Sequence, residues 1–116
     1  MTKGQIEAQI SDTVIRFEKE YMGRGPIETK TTIIDDMVVV RLKGVLTPAE
    51  EKLAQNPDGA GLLKQVRMQL LESAKAMLQV MVGDVTQKKV LSLHTDISTK
   101  TGERIIVFIL NGKFEI

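Results

Sequence analysis

The sequence contains no cysteine and no tryptophan, only one histidine, and few aromatic residues, which make up 3% of its 116 residues. Without cysteine the chain forms no disulfide, no iron–sulfur cluster and no thiolate zinc site, a composition typical of cytoplasmic proteins. A single histidine also excludes a metal site built from several histidines of one subunit. We therefore predict neither a metal ion nor a cofactor.

An excess of charge of either sign and a long apolar run are missing as well. The 16 basic and 15 acidic residues give a net charge of +1, so no overall field attracts nucleic acid or an anionic membrane. No apolar run approaches the roughly 18 residues of a membrane-spanning helix, and charges throughout the N-terminal segment are unlike a signal peptide. These absences predict a soluble cytoplasmic protein without direct membrane insertion.

Apolar residues at helical spacing predict three helices. The first runs from Gln5 to Tyr21 and ends at Gly23, which suits a left-handed cap. Thr47 and Glu50 form a capping box that starts a short second helix.

The third helix is predicted over residues 60–82, between the turn sequence NPDG and Gly83. Its apolar stripe is broad enough that we expect it to cover a sheet. The main members of that stripe are Leu62, Val66, Leu70, Ala74, Met77 and Met81. Three leucines widen it, namely Leu63, Leu71 and Leu78.

Two β-hairpins are predicted where β-branched residues flank turn residues. The first has strands at about 27–34 and 37–43, with Ile34 opposite Met37, and the second follows the third helix. The order α-β-β-α-α-β-β favours an α+β fold with two layers, in which one antiparallel sheet of two hairpins carries the helices on one face. We expect residues 1–116 to form a single domain.

In the second hairpin, Gly102 suits a three-residue loop that pairs Thr99 with Glu103. That register places three large apolar residues on the face of His94, namely Ile106, Phe108 and Leu110. Such a face is too apolar for solvent, and a second subunit is the simplest cover. We predict a homodimer with these residues and His94 at its interface.

His94 stands two residues from Asp96 on the same face of a strand, with a serine on either side. An aspartate that orients an imidazole favours general-base chemistry, so the pair is a candidate catalytic site of a small enzyme. Alternating polar residues are also typical of the solvent face of an antiparallel strand. We favour the second interpretation, which leaves an enzymatic activity open but not expected.

Several basic residues are candidates for contact with an anion, a phosphate or a partner. Arg24 lies between two glycines in the segment GRGP. Lys30, Arg41 and Lys43 are predicted to share one face of the first hairpin. Helix capping explains Gly23, and a turn explains Gly25 and Pro26, but neither explains Arg24. A solvated sheet face explains Lys30, Arg41 and Lys43 structurally. The alternative function that follows is a phosphate- or nucleic-acid-binding module, although nucleic acid is an unlikely partner for so balanced a charge.

Three segments resemble a known family across nearly the whole length of the chain, namely FEKEYMGRGP, IIDDMVVVRLKGVLTPAEEKLA and LHTDISTKTGERIIVF. They are similar to the small bacterial MpsC family, named for a sodium-translocating, membrane-potential-generating system. The resemblance implies association with membrane components linked to ion movement and inorganic carbon, and it carries over no catalytic residue. Candidates for contacts inside these segments are Arg24, Asp35, Asp36, Arg41, Thr47, His94, Asp96, Thr99 and Arg104.

The leading hypothesis is a soluble accessory or regulatory protein of a sodium-translocating or bicarbonate-linked membrane system. It would act by binding a membrane-protein partner or a small anion. Such a role places the protein in the cytoplasm, peripheral to the membrane through its protein partner.

Overall fold

The computed structural model describes residues 1–115, and its elements follow the predicted order α-β-β-α-α-β-β. The helices are α1 (Lys3–Tyr21), α2 (Pro48–Leu53) and α3 (Pro57–Thr86). The strands are β1 (Glu28–Ile34), β2 (Met37–Lys43), β3 (Val90–Ser98) and β4 (Glu103–Leu110). They form one antiparallel sheet in the order β1-β2-β4-β3, so the predicted α+β fold is confirmed.

The helices cover one face of this sheet, called here the inner face. Alternate residues of each strand point toward the helices and are buried, as Val38, Val40 and Leu42 of β2 illustrate. α1 packs against β1, while α3 packs against β3 and α1. The opposite side of the sheet is called the outer face.

The first hairpin has the predicted register, with Ile34 opposite Met37. Asp35 adopts a left-handed conformation (φ 56°) in the two-residue turn, which aspartate tolerates better than most residues. The carbonyl of Asp36 accepts a hydrogen bond of 2.7 Å from the backbone N–H of Leu110, so this turn also anchors the end of β4.

The second hairpin differs from the prediction by one residue, because Ser98 rather than Thr99 pairs with Glu103. Gly102 has the expected positive φ (72°), but it closes a four-residue loop in which its N–H donates to the Ser98 carbonyl at 2.8 Å. Since side chains alternate between the two faces, this shift turns every residue of β4 to the other side relative to β3.

The shift corrects the predicted interface. Phe108 lies opposite Leu93 on the inner face, whereas His94 lies opposite Val107 on the outer face. The three predicted interface residues on β4 are buried in the core of their own chain, and the prediction that they share a face with His94 is wrong. These residues are Ile106, Phe108 and Leu110.

α3 is longer than predicted at both ends. Asn56 caps its first turn by accepting a hydrogen bond from the Gly59 N–H at 2.7 Å, and Pro57 occupies the first helical position. Gly83 lies inside the helix, which ends where Gln87 adopts a left-handed conformation. NPDG therefore starts α3 rather than preceding it, and Gly83 does not stop it.

The buried side of α3 is not the predicted main stripe. The side chains that face the core include those predicted only to widen the stripe, together with Ala74, and they are Leu63, Arg67, Leu71, Ala74, Leu78 and Val82. Most of the predicted main stripe is exposed, with relative accessibilities of 55% for Leu62 and 46% for Val66. α3 is turned about its axis relative to the prediction, and the side it buries contains Arg67.

Candidate functional site

The predicted pair of His94 and Asp96 does not form the orienting contact that general-base chemistry needs. His94 Nε2 lies 3.1 Å from Ser92 Oγ, within hydrogen-bond distance. Asp96 instead forms an ion pair with Lys64 at 3.0 Å and accepts the N–H of Ile97 at 2.8 Å. The hydrogen bond from Lys64 lowers the pKa of Asp96, so its carboxylate is engaged at the edge of the sheet.

Three of the predicted basic residues, Lys30, Arg41 and Lys43, lie on the outer face, and carboxylates lie beside them. Arg41 Nε donates to Glu103 Oε2 at 2.7 Å. Lys43 Nζ is 3.8 Å from Glu28 Oε2. The face is therefore a mixture of both charges rather than the uniformly basic surface that phosphate contacts favour.

Arg24 and Arg104 lie apart from those residues. Arg24 donates from Nη1 to the Leu46 carbonyl at 3.1 Å, which ties the connection after α1 to the connection between β2 and α2. Arg104 lies on the inner face and is only 1% exposed. The structure thus distributes the predicted anion contacts over three places instead of one pocket.

Arg104 belongs to a buried ion cluster, formed with Glu18, Glu50 and Arg67, that joins α1, α2, α3 and β4. Arg67 donates to both oxygens of Glu50, from Nη2 at 2.7 Å and from Nε at 2.8 Å. The same Nη2 donates to the Val45 carbonyl at 2.9 Å. A bidentate arginine–carboxylate pair of this kind fixes both position and orientation.

Glu18 lies at the centre of the cluster and is fully buried. Its Oε2 is 3.9 Å from Arg67 Nη1, and its Oε1 is 3.7 Å from Arg104 Nε. Arg104 also donates from Nη1 to Thr95 Oγ1 at 3.1 Å. Two guanidinium groups thus enclose one carboxylate that water does not reach.

Burial governs the ionisation of the cluster. Desolvation raises the pKa of Glu18, although Arg104 and Arg67 act in the opposite direction. Desolvation also lowers the pKa of Arg104. Partial burial alone would raise the pKa of Glu50, but hydrogen bonds from Arg67 and Thr47 outweigh that effect and lower it.

Glu18 and Arg67 were not among the residues predicted from the sequence, although each left a signal. Glu18 is four residues after buried Val14, and Arg67 lies midway between Leu63 and Leu71 at helical spacing. A charged residue at an apolar position of a stripe indicates a buried ion pair when an opposite charge occupies the same position on another helix. The sequence does not say which two helices meet.

The cluster sets the rotation of α3 about its axis. A buried arginine is tolerated only where its charge is paired, and the partners of Arg67 lie on α1 and α2. Turning Arg67 inward turns a second apolar side of α3 outward. This side is called the α3 stripe, and its members are Leu62, Val66, Leu70, Met77 and Val80.

Most of the exposed residues along the α3 stripe are uncharged. Between residues 61 and 80, the charged side chains that reach solvent are Glu72, Lys64 and Lys75, which are 63%, 44% and 34% exposed. The other exposed residues there are Gly61, Leu62, Gln65, Val66, Met68, Gln69, Leu70, Ser73, Ala76, Met77 and Val80. Tyr21 of α1 extends this surface, with its hydroxyl 3.4 Å from Met77 Sδ. A helix surface with this many exposed apolar residues is suited to contact another apolar surface.

Two features are absent from residues 1–115. None of the three helices has a stretch both long enough and apolar enough to span a bilayer. No group of three or more histidine, aspartate or glutamate side chains in that range is placed to hold a metal ion.

Comparisons with known proteins agree along nearly the full chain. The family described as "Na+-translocating membrane potential-generating system (MpsC)" matches residues 2–112. The uncharacterized protein YbcI of Bacillus subtilis (strain 168) is 44% identical over 114 residues, covering 98% of this chain and 92% of YbcI. The uncharacterized protein YrhF of the same strain is 25% identical over 109 residues, covering 92% and 88%. No solved structure matches this chain.

Proposed function

This chain belongs to the MpsC family, and on that premise we propose that it is a non-catalytic accessory protein of a sodium-linked, membrane-potential-generating system. The descriptive name of the family points to such a system. The manner of action that we propose is the binding of a partner protein through the α3 stripe. The protein then works at the membrane through this partner, from the cytoplasmic side.

The observation that carries the proposal is the α3 stripe itself, a set of five exposed apolar side chains between Leu62 and Val80. At 1.5 Å per residue this surface is about 27 Å long, long enough for five turns of a partner helix. An amphipathic helix in a globular protein normally presents charged residues to water. An apolar or amphipathic helix of the partner, packed along α3, is the occupant with matching chemistry. Exposed methionines such as Met77 adapt to such a contact because their side chains are flexible.

The predicted alternatives have less support. A small enzyme would need His94 to be oriented by Asp96, but Asp96 is paired with Lys64. A phosphate- or nucleic-acid-binding module would need several free cations on one face, but Arg41 is paired with Glu103 and Lys43 lies 3.8 Å from Glu28, which leaves Lys30 as the remaining predicted cation there.

A small anion is a weaker candidate ligand than a protein partner. The most deeply buried cations, Arg67 and Arg104, already face Glu18 and Glu50, so the cluster holds two charges of each sign. An anion entering the cluster would meet carboxylates as well as guanidinium groups.

Retention of a membrane partner tests the proposal. Tagged protein is purified from membranes solubilised in mild detergent at low salt, as wild type and as Val66→Glu. We expect wild type to retain a membrane protein in stoichiometric amount and Val66→Glu to retain at least about tenfold less, because a buried unpaired charge in an apolar contact is costly.

The matched control is Ile27→Glu, which places the same charge at an apolar residue that is 76% exposed and lies away from α3. This control should retain the partner as wild type does. Equal retention by wild type and Val66→Glu, or no retention by wild type, contradicts the proposal. If bicarbonate raises the melting temperature of wild type but not that of Arg104→Met, the ligand is a small anion rather than a protein partner.

A further inference from the structure

The outer face of the sheet is arranged in four rows that cross the strands. The first two rows are apolar at their centres. In the order β1, β2, β4, β3, the first row consists of Ile34, Met37, Ile109 and Ser92. The second row consists of Thr32, Val39, Val107 and His94. The other two carry the charges, and they consist of Lys30, Arg41, Ile105 and Asp96, then Glu28, Lys43, Glu103 and Ser98. The face is thus apolar toward one end of the strands and charged toward the other.

The apolar rows are accessible. In the described residues 1–115, all three helices lie on the inner face, so the central aliphatic side chains of the outer face are only partly buried by their neighbours in the sheet. These side chains are Met37, Val39, Ile105, Val107 and Ile109. A contiguous aliphatic patch in the middle of a sheet is typical of a contact surface.

We propose that a second copy of this chain covers the outer face, with the two sheets stacked face to face around a two-fold axis that runs parallel to the strands between β2 and β4. This axis places β2 of one copy over β4 of the other, and β1 over β3. Each row of one copy then lies over the same row of the second copy. Val39 then lies over Val107 of the other copy. Stacked sheets normally keep their strands within about 30° of each other, as this arrangement does.

Charge selects this axis over the other in-plane two-fold axis. An axis across the strands would place the apolar row of Met37 over the charged row of Lys43. The axis along the strands instead places Lys30 over Asp96 of the second copy, and Lys43 over Glu103 of the second copy. The face is therefore complementary to itself in one orientation only.

The pairing of Lys30 with Asp96 has no counterpart within one chain. These residues lie on the two edge strands, three strand spacings or about 14 Å apart. Sheets stacked about 10 Å apart bring them within reach of each other across the dimer. Asp96 is 74% exposed, so its ion pair with Lys64 leaves it accessible to a second cation.

The size of the face predicts a weak association. Four strands of about seven residues cover roughly 20 × 23 Å, less than the roughly 800 Å² per partner of a standard interface. The dimer should therefore form and dissociate with concentration. It leaves the α3 stripe free, because the stripe lies on the helical side of each copy.

Complementary charge reversals test the proposal. Lys30→Glu and Asp96→Lys are each made alone, and dimerisation is measured by sedimentation over a concentration series. Each single variant should dimerise at least about tenfold more weakly than wild type, because two like-charged contacts replace two favourable ones. The double variant Lys30→Glu/Asp96→Lys should regain the wild-type affinity, since the reversed charges face each other again.

Mixing the two single variants gives a second measurement. A heterodimer of Lys30→Glu with Asp96→Lys restores both charge pairs, so the mixture should associate about as tightly as wild type. Lys52→Glu, on exposed α2, is the control and should not change dimerisation. Val66→Glu should also leave it unchanged, which separates this proposal from the partner site on α3.

Three outcomes would overturn the inference. The first is a wild-type protein that stays monomeric at every concentration. The second is a dimer that neither single reversal weakens. The third is a double variant or a mixture that associates no better than the single variants.

Discussion

The two long helices of this protein, α1 and α3, differ in the number of their sides that are apolar. α1 is apolar on one side only, and that side, which includes Ile10 and Phe17, is the one it buries. α3 is apolar on two sides, and it buries the side that contains Arg67 while exposing the side that contains Val66. Hydrophobic periodicity therefore predicts the rotation of a helix when one side is apolar, and fails when two sides compete.

What decides between the two sides of α3 is a set of charges rather than apolar area. Arg67 is 1% exposed and is paired with carboxylates of α1 and α2. Rotating α3 to bury Val66 would expose Arg67 and leave Glu18 buried without one of its two cations, which is costly. Substitutions on each side of α3 test this explanation.

The largest effect is expected for Arg67→Ala. Removing this guanidinium leaves the fully buried Glu18 with one cation fewer, and breaking a buried pair in this way costs about 3–5 kcal/mol. Urea denaturation measures the loss in the free energy of unfolding. The control Lys75→Ala removes a surface pair with Glu72 and should cost at most about 0.5 kcal/mol. A loss below about 1 kcal/mol for Arg67→Ala would mean that the cluster does not hold α3 in place.

A smaller but still clear difference is expected between neighbouring residues on the two sides of α3. Leu78→Ala removes a fully buried side chain and should lower the free energy of unfolding by about 2–5 kcal/mol. Met77→Ala, on the α3 stripe, should change it by no more than about 0.5 kcal/mol. Equal losses for the two variants would show that both sides of α3 are buried in solution.

The smallest effect is expected for Glu50→Gln, and it depends on pH. The pKa of Glu50 is lowered in the folded state, so its contribution is present above the ordinary value of 4.5 and is lost as the pH falls through the lowered value. At neutral pH we expect Glu50→Gln to be less stable than wild type by about 1 kcal/mol. Thermal unfolding across pH should show the two proteins converging in acid, and a constant gap would contradict the assigned ion pair.

The two hairpins show where sequence-based prediction of the sheet succeeds and where it ends. Ile34 and Met37 are separated by two turn residues, which leaves one register for the first hairpin. Gly102 suits both a three-residue and a four-residue loop, because both place a left-handed residue at the same position. The choice between them decides whether Phe108 or Val107 shares the face of His94.

The predictions for the candidate site were likewise correct for some features and wrong for others. The expectation of an uncovered apolar sheet face beside His94 remains, but the residues that form it on β4 are Ile105, Val107 and Ile109. Arg104 was expected to contact an anion and is instead part of the buried cluster. Four members of the α3 stripe were predicted to cover the sheet and face away from it instead, namely Leu62, Val66, Leu70 and Met77. Its fifth member, Val80, was not predicted, and Ala74 of the predicted stripe is buried.

Four features follow from the amino-acid sequence alone, namely the order of the elements, the capping box at Thr47, the register of the first hairpin and the membership of the family. These features depend on residues close together in the chain or on the pattern of the whole. The strand order, the register of the second hairpin and the rotation of α3 become known from the folded chain. Each of these is set by contacts between distant segments, as when Arg67 meets Glu18 and Glu50, and the identity of such partners is not encoded in any local pattern.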